Sequence, residues 1–398
     1  MAFPNSLKPA MASIIAAALM LVLINVQLVR GTRTGVNHTS SPSPTSSAGD
    51  ATITGLSSGF WAYQSYNSSP FNPPKLQITR NGQPLAPGLL FLSPENVTPL
   101  GAAKDVAPLI MTDDGELVWN GPKLNATDFR ATTYQGAPIL IFWSGIRTVG
   151  VNIGHGYGNV TFLDTSYHTI LTVCPKFGLV TPDNSWQHHA RPFLITPDSF
   201  TLTYFNDRSA YPVVNGTHLS NGLKLLLPLP PSKSAHPKAL AYLSDPAQPI
   251  SAGSEGSSTT LVDGNIFLDY GRIAVMKEYG PHDPSGSDVR WTARFGADNL
   301  VQSYRGFKAE WHGRPTTSPS LVVIASSNGS AAGYVSWNGA TDVEGWKVSE
   351  GHSAGELSFV RNLGHGGFET QFEVAQRCVQ VAAIVGGVQG AKSNVACS

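Results

Sequence analysis

The stretch from residue 109 to 119, LIMTDDGELVW, contains the pattern that decides the fold class. A short apolar run leads into Asp114-Gly115, and a run with valine and tryptophan follows at once. Asp-Gly between two such runs is a strong hairpin signal, because glycine accepts the positive φ angle that a tight two-residue turn requires. The stretch therefore predicts two paired strands.

Similar patterns recur downstream, VDGNIFLDYG at 262–271 and YVSWNGATDVEGWKV at 334–348. Asn81-Gly82 and Asp263-Gly264 are further hairpin signals. No long segment has a convincing helical period, and the best candidate, residues 372–384, is short, rich in valine and equally compatible with a strand. We expect an all-β fold, and the repeated hairpins are typical of a sandwich, a barrel or a propeller.

The first 54 residues differ from the rest of the chain. Residues 11–28, MASIIAAALMLVLINVQL, form an apolar segment close to the ~20 residues that span a bilayer as a helix. This length favours an uncleaved signal-anchor within residues 1–30, and a cleaved signal peptide is the alternative. Residues 31–54 are rich in Ser, Thr, Pro and Gly, which predicts a flexible stalk before a globular region at 55–398.

Seven N-x-[ST] sequons follow the apolar segment. Together with an export segment they predict a glycosylated chain in the secretory pathway, either anchored with a lumenal or extracellular domain or secreted after cleavage. Proline follows two of the sequons, those of Asn67 and Asn96, which makes them poorer acceptors. The full set is Asn37, Asn67, Asn96, Asn125, Asn159, Asn215 and Asn328.

Charge and cysteine content exclude some classes of function. Lys plus Arg equals Asp plus Glu at 26 each, so no net field attracts nucleic acid, and no nucleic-acid partner is expected. Three cysteines are too few for a disulfide scaffold. Cys378 and Cys397 can close a C-terminal loop and leave Cys174 unpaired, but the sequence does not fix the pairing.

Five strings in the chain resemble the arylsulfotransferase family in its fungal branch, over residues 75–370. The resemblance implies a six-bladed β-propeller that moves a sulfuryl group from an aryl sulfate to a phenol, without a nucleotide sulfate donor or another cofactor. The strings are TDDGELVWNGP (112–122), DFRATTYQGAPILIFWSG (128–145), GHGYGNVTFLD (154–164), SWQHHARP (185–192) and YVSWNGATDVEGWKV (334–348).

The resemblance also implies site residues. In the family the attacking histidine lies in a Q-H-x-A-R string, which makes His188 the expected nucleophile here. A neutral imidazole can form a sulfo-histidine that a second phenol attacks. Arg191 in the same string is expected to position sulfate, because guanidinium matches tetrahedral oxyanions. His189, His155 and His365 are the candidate substrate-binding residues.

One departure from the family bears on activity. In the family a long central portion with further active-site motifs separates the GHGYGNVTFLD and SWQHHARP strings, whereas here only residues 165–184 lie between them. The chain thus resembles a family member without its middle, which implies an incomplete propeller and the loss of the family's further anion-binding and acid/base residues. Two readings stay open, an active sulfotransferase and a non-catalytic, glycosylated propeller that binds a ligand or partner.

The remaining candidates have weaker signals. Glu369 is a candidate partner of His365. In the string Glu310-Trp311-His312, a hairpin allows the histidine ring to lie either in the core or in the central funnel of a propeller. Asp113, Asp114 and Glu116 form the tightest acidic cluster, the only support for a carbohydrate-active enzyme. No His, Asp or Glu spacing predicts a metal site.

Overall fold

The computed structural model describes most of the chain after residue 60. Neither the apolar segment at 11–28 nor the stalk at 31–54 is among the described residues. Among those that are, no helix is long and apolar enough to cross a membrane. The described ranges are 61–97, 103–147, 156–173, 187–207, 219–229, 237–281, 285–298, 300–327 and 329–398.

Backbone contacts divide the chain into two units. In the first, the Thr196 N–H donates to the Ser199 carbonyl at 2.8 Å and closes a turn. The second contains every residue of the candidate site. The first unit comprises Met1–Ser57, Pro192–Thr201 and Leu225–Lys238, and the second comprises Ser58–Arg191, Leu202–Lys224 and Ala239–Ser398.

The described residues contain strands, turns and irregular segments without an α-helix, so the all-β prediction is confirmed. In chain order the strands are β1 (Gln77–Arg80), β2 (Leu89–Leu92), β3 (Glu95–Asn96), β4 (Leu109–Met111), β5 (Leu117–Asn120), β6 (Ala126–Tyr134), β7 (Ala137–Arg147), β8 (Gly156–Leu163), β9 (Thr169–Val173), β10 (Gln187–Phe193), β11 (Ser199–Asn206), β12 (Asn221–Pro228), β13 (Lys238–Leu243) and β14 (Ser257–Thr260). They continue with β15 (Ile266–Asp269), β16 (Val275–Tyr279), β17 (Val289–Arg294), β18 (Val301–Gln302), β19 (Phe307–Ala309), β20 (Ser320–Ala325), β21 (Ala331–Ser336), β22 (Gly345–Gly351), β23 (Ser358–Gly364), β24 (Glu369–Val374), β25 (Cys378–Val385), β26 (Val388–Lys392) and β27 (Ala396–Cys397).

Antiparallel meanders dominate the sheets. Consecutive strands form the sheets β6-β7-β8-β9, β10-β11-β12-β13 and β14-β15-β16-β17, the last extended by β1. A four-stranded antiparallel sheet is the unit from which propeller blades are built. The predicted repetition of hairpins is therefore confirmed. No closed ring of sheets, and so no closed propeller, is present among the residues that the structure describes. The other sheets are β19-β2-β4-β5, β18-β3, β20-β21-β24 and β23-β22-β25-β26, with β27 beside β25.

Two of the three predicted hairpins are correct. Asp114-Gly115 joins the paired strands β4 and β5, with φ of 90° at Gly115, and Asp263-Gly264 joins β14 and β15. The Asn81-Gly82 hairpin prediction is wrong. Gly82 does turn the chain, but β1 pairs with β17 and β2 pairs with β4 and β19, because these distant edges provide the hydrogen-bonding partners.

The C-terminal region resolves two open points. Residues 372–384, which fitted a helix or a strand, belong to β24 and β25 with a short turn between them. Cys378 and Cys397 form a disulfide between β25 and β27. The bond closes the C-terminal loop, while Cys174 lies outside the described residues.

Candidate functional site

His188 lies on β10 with its side chain largely buried, 18% exposed. Its Nε2 accepts a hydrogen bond from the Glu255 backbone N–H at 2.9 Å. The same nitrogen is 3.5 Å from Oδ2 of Asp207, whose side chain is fully buried after β11. Since Nε2 accepts a hydrogen bond, the neutral ring carries its own proton on Nδ1. The Tyr304 ring meets the imidazole edge to face, with centroids 6.4 Å apart.

Burial keeps this pair uncharged at neutral pH. It lowers the pKa of His188 to about 4, with a contribution from the nearby Arg305 cation. Burial also raises the pKa of Asp207 to about 9, with a contribution from the Glu255 carboxylate. At pH 7 the imidazole is therefore neutral and the Asp207 carboxyl holds its proton.

More carboxyl groups surround the pair. Glu255, with φ of 73°, precedes β14, and its Oε1 accepts a hydrogen bond from Gln302 Nε2 at 3.3 Å. Gln302 also donates to Glu95 Oε1 at 3.0 Å. Asp269 at the end of β15 is fully buried, and burial together with Glu255 raises its pKa well above the ordinary value. The carboxyl groups of Asp207 and Asp269 therefore keep their protons to a higher pH than an exposed carboxyl group does.

Three arginines converge next to this cluster. Asp128, with φ of 58°, pairs with Arg130 and with Arg305 Nη1, the latter at 3.0 Å. Burial alone would raise the pKa of Asp128, but the two guanidinium groups hold it below its ordinary value. Burial, Arg305 and Arg130 lower the pKa of Arg191, which places three like charges close together. One carboxylate neutralises only part of this charge, so the cluster attracts an anion.

The two histidines of β10 have different surroundings. His189 is only 6% exposed, its Nδ1 donates to the Ser258 carbonyl at 3.1 Å, and its ring packs against Phe307 at 5.1 Å. Burial, reinforced by Arg191, lowers the pKa of His189 to about 3. His189 is therefore a neutral interior residue.

Two other sequence candidates, His365 and His312, contact residues outside the His188 cluster. His365 is exposed beside Trp346, with ring centroids 6.3 Å apart, and its predicted partner Glu369 instead accepts hydrogen bonds from Ser68. His312 is exposed and pairs with Asp342 at 3.0 Å. Trp311 of the same string belongs to the core. His155 lies outside the described residues.

The acidic cluster of the hairpin turn is structural. Asp113 pairs with Lys308 at 3.0 Å, and Asp114 pairs with Arg80 at 2.8 Å. These carboxylates are neutralised by cations, whereas a glycosidase needs one acid and one base facing the sugar. The carbohydrate-active alternative therefore loses its support. No group of His, Cys, Asp and Glu in the described ranges is arranged to hold a metal ion.

The segment that carries His188 is similar to a known protein family. Residues 178–296 match the family model described as Arylsulfotransferase (ASST). No curated protein matches the chain. The arylsulfotransferase match contains strands β10 to β17 with His188, Arg191, Asp207, Glu255 and Asp269, and it is shorter than the resemblance expected over residues 75–370.

The Arylsulfotransferase match omits part of the site. Arg130, Asp128 and Arg305 lie outside residues 178–296, and the fold brings them together with Arg305 near His188. Sequence reasoning missed these residues and also Asp207 and Glu255. Their local sequences are ordinary strand ends and turns, so only their burial beside His188 distinguishes them.

Proposed function

We propose that this chain is an arylsulfotransferase-like protein that transfers a sulfuryl group from an aryl sulfate to a phenolic acceptor. The observation that carries the proposal is the neutral His188 of the matched segment, beside the Arg130, Arg191 and Arg305 cluster. A neutral imidazole is a nucleophile, and guanidinium groups stabilise charge on the three sulfate oxygens.

The proposed reaction has two steps. His188 attacks sulfur, the S–O bond to the aryl group breaks, and the departing phenolate takes the proton of the Asp207 carboxyl. The acceptor phenol then attacks the sulfo-histidine and returns a proton to Asp207, which regenerates the neutral imidazole. The raised pKa of Asp207 suits a group that both donates and accepts a proton near neutral pH.

One contact imposes a condition on this chemistry. The lone pair of His188 Nε2 accepts the Glu255 N–H, so attack through this atom requires that hydrogen bond to open. Glu255 has positive φ and precedes Gly256, also with positive φ, so the amide lies in a turn. Attack by Nε2 therefore requires this turn to move away from the imidazole.

The same contact favours the alternative, a non-catalytic glycosylated propeller that binds a ligand or partner. With Nε2 occupied, His188 acts as an acceptor that fixes the Glu255 turn. A chain of the fungal branch without its central portion would then retain an anion-binding arginine cluster and lose turnover.

We also propose that the chain is glycosylated in the secretory pathway, held by the apolar segment at 11–28 or secreted after its cleavage. The exposure of Asn67, Asn96, Asn125 and Asn159 supports this proposal. Expression in a eukaryotic secretory host, followed by N-glycan removal, should reduce the mass of the product. An unchanged mass contradicts the proposal.

Transfer from 4-nitrophenyl sulfate to a phenol distinguishes the enzyme from the alternative. We expect release of 4-nitrophenol that requires the acceptor, and we expect His188→Ala to reduce it to background. His312→Ala is the matched control, because His312 is 74% exposed and pairs with Asp342 rather than with a residue of the site. Equal rates for His188→Ala and the wild type would exclude the sulfo-histidine route, and absence of transfer in all three proteins would favour the binding protein.

A further inference from the structure

A groove of about 250 Å³ lies on the outer face of the sheet β23-β22-β25-β26. This face is separate from the His188 site. The opposite face packs into the core through Trp346 and Val348, both fully buried. The outer face is therefore free to bind a ligand without disturbing the packing beneath it. The groove is lined by Lys347, Ser349, Phe359, Gln380, Val381, Ala382, Gln389 and Lys392.

Strand register creates the shape of the groove. Lys347 of β22 is opposite Ala382 of β25, which is in turn opposite Lys392 of β26. Two strand spacings separate the lysine backbones by about 10 Å, with a small side chain between them. In the adjacent row Ser349 lies between Phe359 and Gln380. Small residues form the floor, and long or aromatic side chains form the walls.

The charge of the lining is one-sided. It contains two ammonium groups and no carboxylate. Glu350 of the same strand is buried and pairs with Arg361. Because the whole chain has equal numbers of cationic and anionic residues, overall charge does not attract anions to this face. The attraction is local and complements an anionic ligand.

The uncharged lining narrows the ligand class. Phe359 is 56% exposed, and its ring lies 5.3 Å from Lys347 Nζ. Gln380 Nε2 donates to the Ser393 carbonyl at 2.9 Å, which fixes its amide, and Gln389 is exposed at the other wall. An aromatic ring packs against the apolar face of a sugar, amide groups form hydrogen bonds with its hydroxyl groups, and ammonium groups form ion pairs with its acidic substituents.

We propose that this groove binds an acidic saccharide, with Lys347 and Lys392 on two of its anionic groups and Phe359 against a sugar ring. A shallow surface groove suits a segment of an extended saccharide, since its volume lies below the ~300–1,000 Å³ of enclosing ligand pockets. The proposal does not depend on sulfuryl transfer.

Calorimetric titration of the full chain tests the proposal. The probes are tetragalacturonate, a heparin-derived tetrasaccharide, neutral cellotetraose and a short polyglutamate. We expect binding of at least one acidic saccharide, weakened by added salt, with no binding of cellotetraose or polyglutamate. A preference for tetragalacturonate identifies carboxylated sugars and a preference for the heparin fragment identifies sulfated sugars.

Variants locate the site. The double variant Lys347→Gln with Lys392→Gln should weaken binding at least tenfold, and Phe359→Ser should weaken it several-fold. The control Lys75→Gln with Lys238→Gln removes two exposed lysines elsewhere, changes net charge equally, and should bind as the wild type does. The proposal would be overturned if the groove double variant kept its affinity or if the control lost affinity equally. It would also be overturned if cellotetraose or polyglutamate bound equally well, or if no acidic saccharide bound.

Discussion

His188 and Asp207 form a pair in which burial decides the protonation states. Close approach of a carboxyl and an imidazole in water gives an ion pair, but here desolvation lowers the pKa of one and raises that of the other. The two groups therefore meet as neutral partners. In the neutral pair the imidazole keeps its nucleophilic lone pair and the carboxyl keeps its proton, whereas in an ion pair the proton would occupy the imidazole nitrogen.

Asp207→Asn should flatten the dependence of stability on alkaline pH. The folded-state pKa of Asp207 is raised from 3.8 to about 9, so its contribution to stability declines as pH rises between these values. The slope is at most about 1.4 kcal/mol per pH unit. Burial lowers the pKa of His188 from 6.5 to about 4, so the contribution of His188 to stability rises with pH between these two values. The decline in stability due to Asp207 is therefore clearest above pH 6.5. Urea unfolding at pH 7 and pH 9 measures it.

The wild type should lose more stability than Asp207→Asn between pH 7 and pH 9. Asp269, whose pKa burial also raises, remains in the variant and keeps a residual decline. Identical declines in both proteins would show that Asp207 is ionised in the folded state at pH 7.

At the scale of elements, the turn into β14 brings the Glu255 amide to His188. Gly256 has φ of 103°, and its N–H donates to the Tyr304 carbonyl at 3.0 Å. An added Cβ would lie 2.5 Å from the Phe205 ring and 2.8 Å from the Asp269 carbonyl. Glycine is required here both by the backbone angle and by the close packing of the turn.

Gly256→Ala should therefore reduce the free energy of unfolding by about 3 kcal/mol or more, from left-handed backbone strain plus overpacking. Gly136→Ala is the control, because Gly136 has a similar φ of 82° with no atom within 4 Å of the added Cβ. That variant should lose only about 1–2 kcal/mol. Chemical denaturation compares them, and equal losses would mean that the packing around Gly256 yields without cost.

At the scale of the whole molecule, a buried cation joins segments that are distant in sequence. Lys308 of β19 pairs with Glu278 of β16 at 2.9 Å and with Asp113 after β4 at 3.0 Å. Glu278 also accepts hydrogen bonds from the Ala86 N–H and Asn265 Nδ2, both at 2.7 Å. This network links the sheet β19-β2-β4-β5 to the sheet that contains β16.

Lys308→Met should lower the free energy of unfolding by about 3–5 kcal/mol, because it leaves the Glu278 carboxylate buried without its cation. Arg80→Met breaks the contacts of an exposed cation with Asp113 and Asp114 and should cost about 1 kcal/mol or less, because both carboxylates are partly solvated. Denaturation midpoints and slopes of the two variants test this difference. A Lys308→Met protein as stable as Arg80→Met would show that the carboxylate is solvated or protonated without cost.

Local sequence determined several features of this protein. Asp114-Gly115 and Asp263-Gly264 form their hairpins because a tight turn depends on a few adjacent backbone angles. The all-β class follows from the period of apolar residues, which is also local. The resemblance predicts His188 as the nucleophile from a short string, and the same segment lies in the arylsulfotransferase match.

Only the tertiary structure decided what surrounds that histidine. Arg305, Asp128 and Glu255 come from separate strands and turns, and no spacing in the chain indicates that they meet. The Asn81-Gly82 prediction failed for the same reason, since the partner of β1 is β17, far along the chain. Charge, pKa and pairing depend on burial and on distant neighbours, whereas turns and strand periods depend on residues next to each other.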